Sequence, residues 1–146
     1  NTNPKNYPPR EAALHLSKAS TIARKFDENH RKVQLQRANG VLLSKLVEER
    51  FHPISPIDES KPNFFVFPLQ SKNRDSIVTY LATKGIEAGK FFSNSVYWVQ
   101  AYGYQKGDCP NFERITSEIF TLPCHYYLSL KQLNYIAQTL NNYHVA

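Results

Sequence analysis

The stretch GDCPNFERITSEIFTLPCHYYLSLKQLNYIAQTL, residues 107–140, decides the fold because three elements follow one another in it with clear boundaries. Pro110 suits the first turn of a short helix that extends to about Glu118, since a proline there removes no helical hydrogen bond. Residues 119–122 can form a strand, which Pro123 ends. A helix that leads directly into a strand is therefore expected here.

The same stretch closes with a helix whose start is marked by the sequence itself. Ser129 and Gln132 have the S-x-x-Q spacing of a capping box, in which side chains at both ends of the first turn bond to free backbone N–H groups. Apolar residues then recur at helical spacing at Leu133, Ile136, Ala137 and Leu140. We expect the chain to end on this helix.

A strand and a helix are predicted upstream of this stretch. Residues 63–69 are aromatic and β-branched enough for a strand, whose end Pro68 places at an edge or a bulge. Residues 71–84 predict a helix stopped by Gly85 in the C-cap position. Its inward residues are expected to be Ile77, Val78 and Leu81, with Ile86 as the apolar partner after the glycine.

Two further segments have no regular pattern. Residues 51–62 are rich in proline and polar side chains and indicate a loop. Residues 86–104 are the least regular part of the chain, with aromatic side chains crowded among small polar ones. Aromatic side chains at this density fill a core or line a pocket, and both readings stay open for Tyr97, Trp98, Tyr102 and Tyr104.

A long helix is predicted from Pro9 to about Glu49, with Gly40 marking a possible break or kink. Its apolar seam, at alternating steps of four and three, consists of Ala12, Leu16, Ala19, Ala23, Phe26, His30 and Val33. Such a seam packs on another element, and a small domain has little to cover its N-terminal half. The seam therefore suggests a partner that lies outside this chain.

Together these elements predict an α+β fold, in which helices cover a small, largely antiparallel sheet. The length of 146 residues favours a single domain, with a long interdomain helical segment at residues 1–50 and an α+β core at residues 51–146. The chain begins at Asn1 and contains no methionine, so we expect that a larger part of the protein lies upstream.

The composition excludes several classes of protein. Apolar residues make up 41% of the chain and charged residues 21%, and no stretch approaches the roughly 20 apolar residues of a membrane span, so a soluble protein is expected. The net charge is +6, but the basic residues are scattered, which favours a solvated surface over a nucleic-acid interface. Two cysteines, Cys109 and Cys124, form no disulfide framework and are expected to be reduced.

No self-sufficient catalytic or metal site is evident. Cys124 and His125 are neighbours in sequence, but adjacent side chains usually point apart, so burial of the thiol is favoured over catalysis. The histidines and cysteines show no metal-ligand spacing, and the five glycines form no phosphate-binding loop. We therefore predict no metal ion and no catalytic residue.

Several runs of residues resemble one known family in order and spacing. They are Glu11 to Leu16, Asn29 to Arg37, Arg74-Asp75 through Leu81, Lys84 to Gly89, Gly107 to Pro110, Ser117 to Ile119, Thr121 to His125, and Leu128-Ser129. Each run matches the family pattern only loosely. Taken together, the runs are similar to the C-terminal small domain of the DegT/DnrJ/EryC1/StrS family of sugar aminotransferases. The resemblance covers nearly the whole chain.

The resemblance implies a fold-type I enzyme dependent on pyridoxal phosphate, cytoplasmic and usually a homodimer. Such an enzyme transfers an amino group from an amino-acid donor to a keto-sugar on a nucleotide carrier, in amino-sugar, lipopolysaccharide or antibiotic biosynthesis. In the family the Schiff-base lysine, the aspartate at the pyridine nitrogen and the phosphate ligands precede this region. The resemblance therefore places no cofactor-binding residue in this chain, and we expect the chain alone to bind no pyridoxal phosphate.

The resemblance also implies a substrate-binding wall in the loop after the Gly85-Ile86 pair. The corresponding residues are Phe91, Phe92, Ser93, Asn94 and Tyr97. The histidine usual in the family is replaced here by Phe91, which leaves open an altered substrate or a lost activity. A sister branch of the family carries out dehydration, and this alternative also stays open.

Two functions of other classes remain as alternatives. One is a non-catalytic binding module derived from the same fold. The other is a basic, aromatic domain that binds single-stranded nucleic acid by stacking. The second is less favoured, because no groove of interleaved lysine and arginine accompanies the aromatic residues.

Overall fold

The computed structural model describes residues 9–54 and 60–144, with side chains from residue 18 onward. The helices and strands are α1 (Pro9–Leu46), a 3-10 turn (Glu49–Phe51), β1 (Phe67–Gln70), α2 (Arg74–Thr83), α3 (Ser95–Gln100), α4 (Pro110–Glu118), β2 (Ile119–Leu122) and α5 (Leu130–Asn141). Among these, no helix combines the length and the apolar content that crossing a bilayer requires.

The sheet consists of β1 and β2, paired antiparallel with Phe67 opposite Leu122 and Leu69 opposite Phe120. Gly89 adds one isolated bridge beside Thr121. All four residues of β2 are buried, whereas β1 alternates between buried and half-buried residues. Since β1 is an edge strand, it tolerates Pro68 within the pairing.

The core lies between this sheet and three helices. It joins Leu43 of α1, Val47 directly after that helix, Ile77 and Leu81 of α2, and Leu133, Ile136, Ala137 and Leu140 of α5 to Phe67, Leu69, Phe120 and Leu122 of the strands. Helices thus cover a small antiparallel sheet, and the predicted α+β class is confirmed.

The elements of residues 107–140 form as predicted. Helix α4 begins at Pro110, and β2 ends at Leu122 before Pro123. At α5 the Ser129 hydroxyl accepts from the Gln132 N–H, and the Gln132 side chain accepts from the Ser129 N–H at 2.9 Å. Local signals therefore determine this part of the fold.

The predicted strand over residues 63–69 is wrong at its start. Phe64 has a φ of +47° and so leaves the extended region, and the Asn63 side chain accepts from the Phe65 N–H at 3.1 Å. These residues form a turn, and the strand begins at Phe67. Pro68 lies inside the strand, not at its end.

Helix α2 is shorter than predicted but ends as expected. The Ser71 hydroxyl accepts from the Asn73 N–H at 3.2 Å, so residues 71–73 are a turn that precedes the helix. Gly85 has a φ of +74°, and the Ile86 N–H bonds to the Leu81 carbonyl. Ile86 is buried, which confirms its place as the apolar partner after the glycine.

Helix α1 continues through Gly40 without a break. A Cβ atom at Gly40 would lie 2.2 Å from Cγ of Phe64, so the glycine allows the Phe64 ring to pack directly on the helix backbone. The expected break is therefore wrong, and close packing explains this glycine.

The predicted seam of α1 is uncovered in this chain. The seam residues Ala19, Ala23, Phe26, His30 and Val33 are exposed, while the side chains of Ala12 and Leu16 lie outside the described residues. The core contacts of α1 come instead from its last turns and the residue after them, at Asn39, Leu43 and Val47.

Residues 86–104 contain a short helix that the sequence did not predict. Phe92 has a φ of +62° and reverses the chain, and α3 follows from Ser95. The N-cap residue of α3 is Asn94, whose side chain makes no capping hydrogen bond to the helix.

Candidate functional site

The predicted substrate wall lies at the surface, between the Gly89 bridge and α3. Phe91 and Phe92 lie side by side, with ring centroids 6.1 Å apart. Ser93 and Asn94 lead into α3, and Tyr97 lies within it. All five residues are exposed, Tyr97 to 75%. They are therefore available to a ligand and contribute little to the core.

The wall is anchored at its start. Gly89 and Thr121 exchange two backbone hydrogen bonds of 2.9 and 3.0 Å. A Cβ atom at Gly89 would lie 2.6 Å from Oγ1 of Thr121, so any side chain at this position would force the Thr121 hydroxyl to move. Next to it, Lys90 forms a 2.8 Å ion pair with Asp75. Lys90 and then Arg74 hold the pKa of the Asp75 carboxyl below its usual value.

A groove of about 360 Å³ opens beside the wall. It is lined by three separate segments, which supply Phe65, Glu87, Phe91, Thr121, His125 and Tyr127. Of the five predicted wall residues, Phe91 alone lines this groove; the other four lie outside it. The sequence analysis missed Phe65, Glu87 and Tyr127, because residues far apart in the chain meet here.

A buried amide holds one side of the groove in place. The Asn39 side chain, from α1, donates to the His125 carbonyl at 2.7 Å and lies 3.4 Å from the Cys124 carbonyl. The His125 ring stacks on Tyr127, with centroids 5.2 Å apart and an interplanar angle of 20°. The turn after β2 is thus fixed to α1 without a ligand.

Cys124 and His125 do not form a nucleophile and base. The Cys124 thiol is buried and donates to the Phe64 carbonyl at 2.8 Å, while the His125 ring lies against Tyr127. Burial raises the pKa of the Cys124 thiol to about 11, so it stays protonated at neutral pH. The predicted structural role of this cysteine is confirmed. Both Cys109 and Cys124 are free thiols.

The turn before α4 is organised by a carboxylate. Oε1 of Glu113 accepts from the Gly107 N–H at 2.6 Å and from the Tyr104 hydroxyl at 2.8 Å. The Gly107 N–H and then the Tyr104 hydroxyl lower the pKa of Glu113. Because these partners all belong to one turn, Glu113 and Tyr104 have a structural role.

The other aromatic residues of this region lie in solvent. Trp98 is 61% exposed and Tyr102 is 92% exposed. They are absent from the core and from the lining of the groove, so for these two side chains the expectation of a core position is wrong. Within residues 9–54 and 60–144 no three histidine, cysteine or acidic side chains come together as a metal site.

The family of the chain follows from comparison with known proteins. The model of the DegT/DnrJ/EryC1/StrS aminotransferase family matches residues 11–141. The chain belongs to this family. A search of curated proteins finds no match.

Solved structures of DegT/DnrJ/EryC1/StrS aminotransferases share the fold at low sequence identity. The sugar aminotransferase CalS13 from Micromonospora echinospora is 16% identical with a TM-score of 0.70, over 81% of this chain and 32% of that one. A family member from Brucella abortus is 18% identical with a TM-score of 0.67, over 75% and 30% of the two chains. Helicobacter pylori PseC, an aminotransferase of pseudoaminic acid biosynthesis, is 18% identical with a TM-score of 0.63, over 75% and 32%.

The chain thus spans about a third of the length of these aminotransferases. Aminotransferases of this family depend on pyridoxal phosphate, which a lysine holds as a Schiff base. The described lysines do not fit such a site: Lys32 is half-buried and paired with Glu28, and the others are exposed. That this chain binds no cofactor by itself stays a prediction.

Proposed function

We propose that this chain is the C-terminal small domain of a pyridoxal-phosphate-dependent sugar aminotransferase. The observation that carries the proposal is the family match, which extends over residues 11–141 while the chain spans about a third of its solved relatives. The cofactor and its lysine would then belong to the remaining part of the enzyme. The whole enzyme is a cytoplasmic homodimer in this proposal.

The substrate in this proposal is a keto-sugar on a nucleotide carrier, and the amino donor is an amino acid. The net charge of +6 suits a substrate that carries a diphosphate. A sugar substrate is supported by two solved relatives, one described as a sugar aminotransferase and the other as an aminotransferase of pseudoaminic acid biosynthesis.

The contribution of this chain is one wall of the sugar site. Phe91 and Phe92 offer apolar faces on which a sugar ring can pack. The side chains of Ser93, Asn94 and Tyr97 make no hydrogen bond to any described residue, so they are free to bond to sugar hydroxyls. The wall positions the substrate, and the covalent chemistry is the cofactor's.

The proposal is tested on the whole protein encoded by the gene, purified with pyridoxal phosphate. We expect amino transfer from glutamate to a nucleotide-linked keto-sugar, and a visible cofactor band that borohydride fixes onto one lysine upstream of residue 1. A non-catalytic binding module would show neither amino transfer nor the cofactor band. A dehydratase would remove water from the sugar and transfer no amino group.

The wall is tested in the same enzyme by Asn94→Ala and Tyr97→Phe. Both should lower kcat/KM for the keto-sugar several-fold, by about the energy of one hydrogen bond, and leave Tm unchanged because both side chains are exposed. Tyr102→Phe, at a residue 92% exposed and outside the wall, is the matched control. Lower stability with intact kinetics would contradict the wall.

A further inference from the structure

A basic cleft of about 540 Å³ opens at the end of the sheet where Gln70 pairs with Ile119. Its volume lies within the range of small-molecule pockets. None of the described residues that line it belongs to the wall or to the groove. Besides Gln70, its lining comes from the turn at residues 49–52, the connection between β1 and α2, and helix α4, which supply Arg50, His52, Ser71, Lys72, Arg114 and Glu118.

Hydrogen bonds to backbone carbonyls fix two sides of the basic cleft. The Arg50 guanidinium donates to the Tyr143 carbonyl at 3.0 Å and to the Asn141 carbonyl, so it holds its turn against the end of α5. On the other side the Ser71 N–H donates to the Glu118 carbonyl at 3.0 Å. Both sides are therefore in place before any ligand arrives.

The charged residues described at the basic cleft do not balance. Nε of Arg50 is paired with Oε2 of Glu48 at 2.6 Å, and Nη1 of Arg114 lies 3.3 Å from Oε2 of Glu118. The exposed Lys72 ammonium has neither an ion pair nor a hydrogen bond to any described residue. Three cations therefore face two carboxylates among these residues, and the excess positive charge is at Lys72.

The basic cleft is also richer in free donors than in free acceptors. Oε2 of Glu118 is occupied, because it accepts from Nε2 of Gln70 at 2.6 Å as well as from Arg114. The other N–H groups of Arg114 have no acceptor among the described residues. Side-chain donors that are likewise unused remain on Ser71, Lys72 and His52. An anion with several acceptor oxygens would satisfy these groups.

We propose that the basic cleft binds a phosphoryl group, as inorganic phosphate or as the phosphate of a small metabolite. A phosphate ester carries a charge of about −1.5 to −2 at neutral pH and three strong acceptor oxygens, whereas a carboxylate has one charge and two oxygens. Lys72 and the fork of Arg114 hold the anion, and Ser71 and His52 donate to its remaining oxygens. This assignment does not depend on the proposed function.

The test is a titration of the isotope-labelled 146-residue chain, followed through its amide resonances at constant ionic strength. The pH is about 7.5, where a phosphate ester is mostly dianionic. Inorganic phosphate, glycerol 3-phosphate and glucose 6-phosphate are the probes, and acetate and glucose are the controls. We expect the phosphate probes alone to shift the amides of Ser71, Lys72 and Arg114 saturably, with a Kd on the order of 1 mM. A lower Kd for an ester than for inorganic phosphate would identify the ligand as a metabolite, and the reverse would identify it as inorganic phosphate.

Two substitutions with opposite effects assign the site. Lys72→Gln should raise the Kd at least about fivefold, which corresponds to the loss of one hydrogen bond of average strength. Glu118→Gln removes a negative charge beside the anion and keeps an oxygen for Gln70, so it should lower the Kd. Lys131→Gln, at an exposed lysine of α5 outside the cleft, is the matched control and should leave the Kd unchanged. Because Lys72 is exposed and unpaired, Lys72→Gln should keep the Tm of the parent chain.

Three results would overturn the phosphoryl assignment: no saturable shift with any phosphate probe, acetate shifts as large as those of phosphate, or an unchanged Kd in Lys72→Gln. An equal rise of the Kd in Lys72→Gln and Lys131→Gln would reveal an effect of net charge alone and would overturn it as well. None of these measurements involves amino transfer. Failure of the phosphoryl assignment would therefore leave the proposed function untouched, and a protein without amino transfer could still bind phosphate here.

Discussion

At the scale of single residues, contacts distant in sequence override local preferences. Gly40 lies within a helix, where alanine usually stabilises by 0.5–1 kcal/mol. Here its missing side chain makes room for the ring of Phe64, whose own φ of +47° is unusual for a residue with a Cβ atom. Helix propensity therefore predicts that Gly40→Ala stabilises the chain, whereas the packing of Phe64 predicts that it destabilises the chain.

We expect Gly40→Ala to destabilise the chain by about 1–3 kcal/mol, since a Cβ atom 2.2 Å from Cγ of Phe64 overpacks a buried contact. Urea unfolding followed by circular dichroism measures the change. Ser44→Ala, on an exposed position of the same helix, is the control and should change stability little. A Gly40→Ala variant more stable than the parent would show that helix preference decides this position.

The two thiols should differ strongly in reactivity. Cys109 is exposed, whereas Cys124 is buried and its pKa is raised to about 11. At pH 8 a disulfide reagent should therefore modify one thiol per native chain quickly, and a second only after denaturation in guanidinium. Cys109→Ser should abolish the fast phase. Rapid modification of both thiols in the native chain would contradict the buried position of Cys124.

The Cys124 thiol also makes the stability of the folded chain depend on pH in the alkaline range. The pKa of Cys124 is higher in the folded chain than its ordinary value of 9.0, so the folded state keeps a proton that the unfolded state loses. The contribution of the protonated Cys124 thiol to the free energy of unfolding is present below pH 9 and is lost as the pH rises from about 9 to about 11. The alkaline loss of stability in urea unfolding should accordingly be smaller in Cys124→Ala than in the parent chain.

At the scale of elements, predictions from the sequence hold where the signal is local. The proline at the start of α4 and the capping box of α5 lie within the helices that they define, and both helices begin as predicted. The start of β1 and the helix α3 were missed. The turn before β1 depends on Phe64 packing on Gly40, and α3 starts without a capping side chain. The packing of Phe64 on Gly40 joins residues far apart in sequence, so the residues next to Phe64 do not reveal it.

The candidate site, too, was predicted from the sequence only in part. The wall was placed by resemblance to a family, and in the structure its residues Phe91, Phe92, Ser93, Asn94 and Tyr97 are all exposed. The groove was not foreseen, because Phe65, Glu87 and Tyr127 are brought together by the sheet and by Gly89. Spacing along one sequence contains no information about such a meeting of three segments.

The capping box should make a measurable contribution to stability. Ser129→Ala removes the acceptor of the Gln132 N–H, and we expect a loss of about 1 kcal/mol in the free energy of unfolding. Ser76→Ala, at an exposed position inside α2, is the matched control and should be neutral or slightly stabilising. Equal effects of the two substitutions in thermal or urea unfolding would rule out a contribution from the cap.

At the scale of the whole molecule, α1 is the dominant feature. With 38 residues it is about 57 Å long, yet only its last turns contact the core. Further upstream, an apolar face with a shallow pocket is formed by Ala19, Ile22, Ala23 and Phe26, and no described residue outside the helix covers it. Such a face lowers its free energy when another surface covers it.

We expect the isolated chain to self-associate through this face at micromolar concentration. Phe26 is 72% exposed, so Phe26→Gln should weaken association and leave Tm of the monomer unchanged. Arg24→Gln, two residues away and thus on the opposite side of the helix, is the control. Sedimentation that shows only monomer for the parent chain and for both variants would contradict the expectation.

Trp98 is the single tryptophan of the chain, and it lies in α3, 61% exposed, next to the wall. Its fluorescence should therefore emit at long wavelength in the native chain and shift little on unfolding. The same property makes the indole a built-in optical probe of its own neighbourhood. A blue shift would report that a ligand or a partner has excluded water from α3, without any label having been introduced.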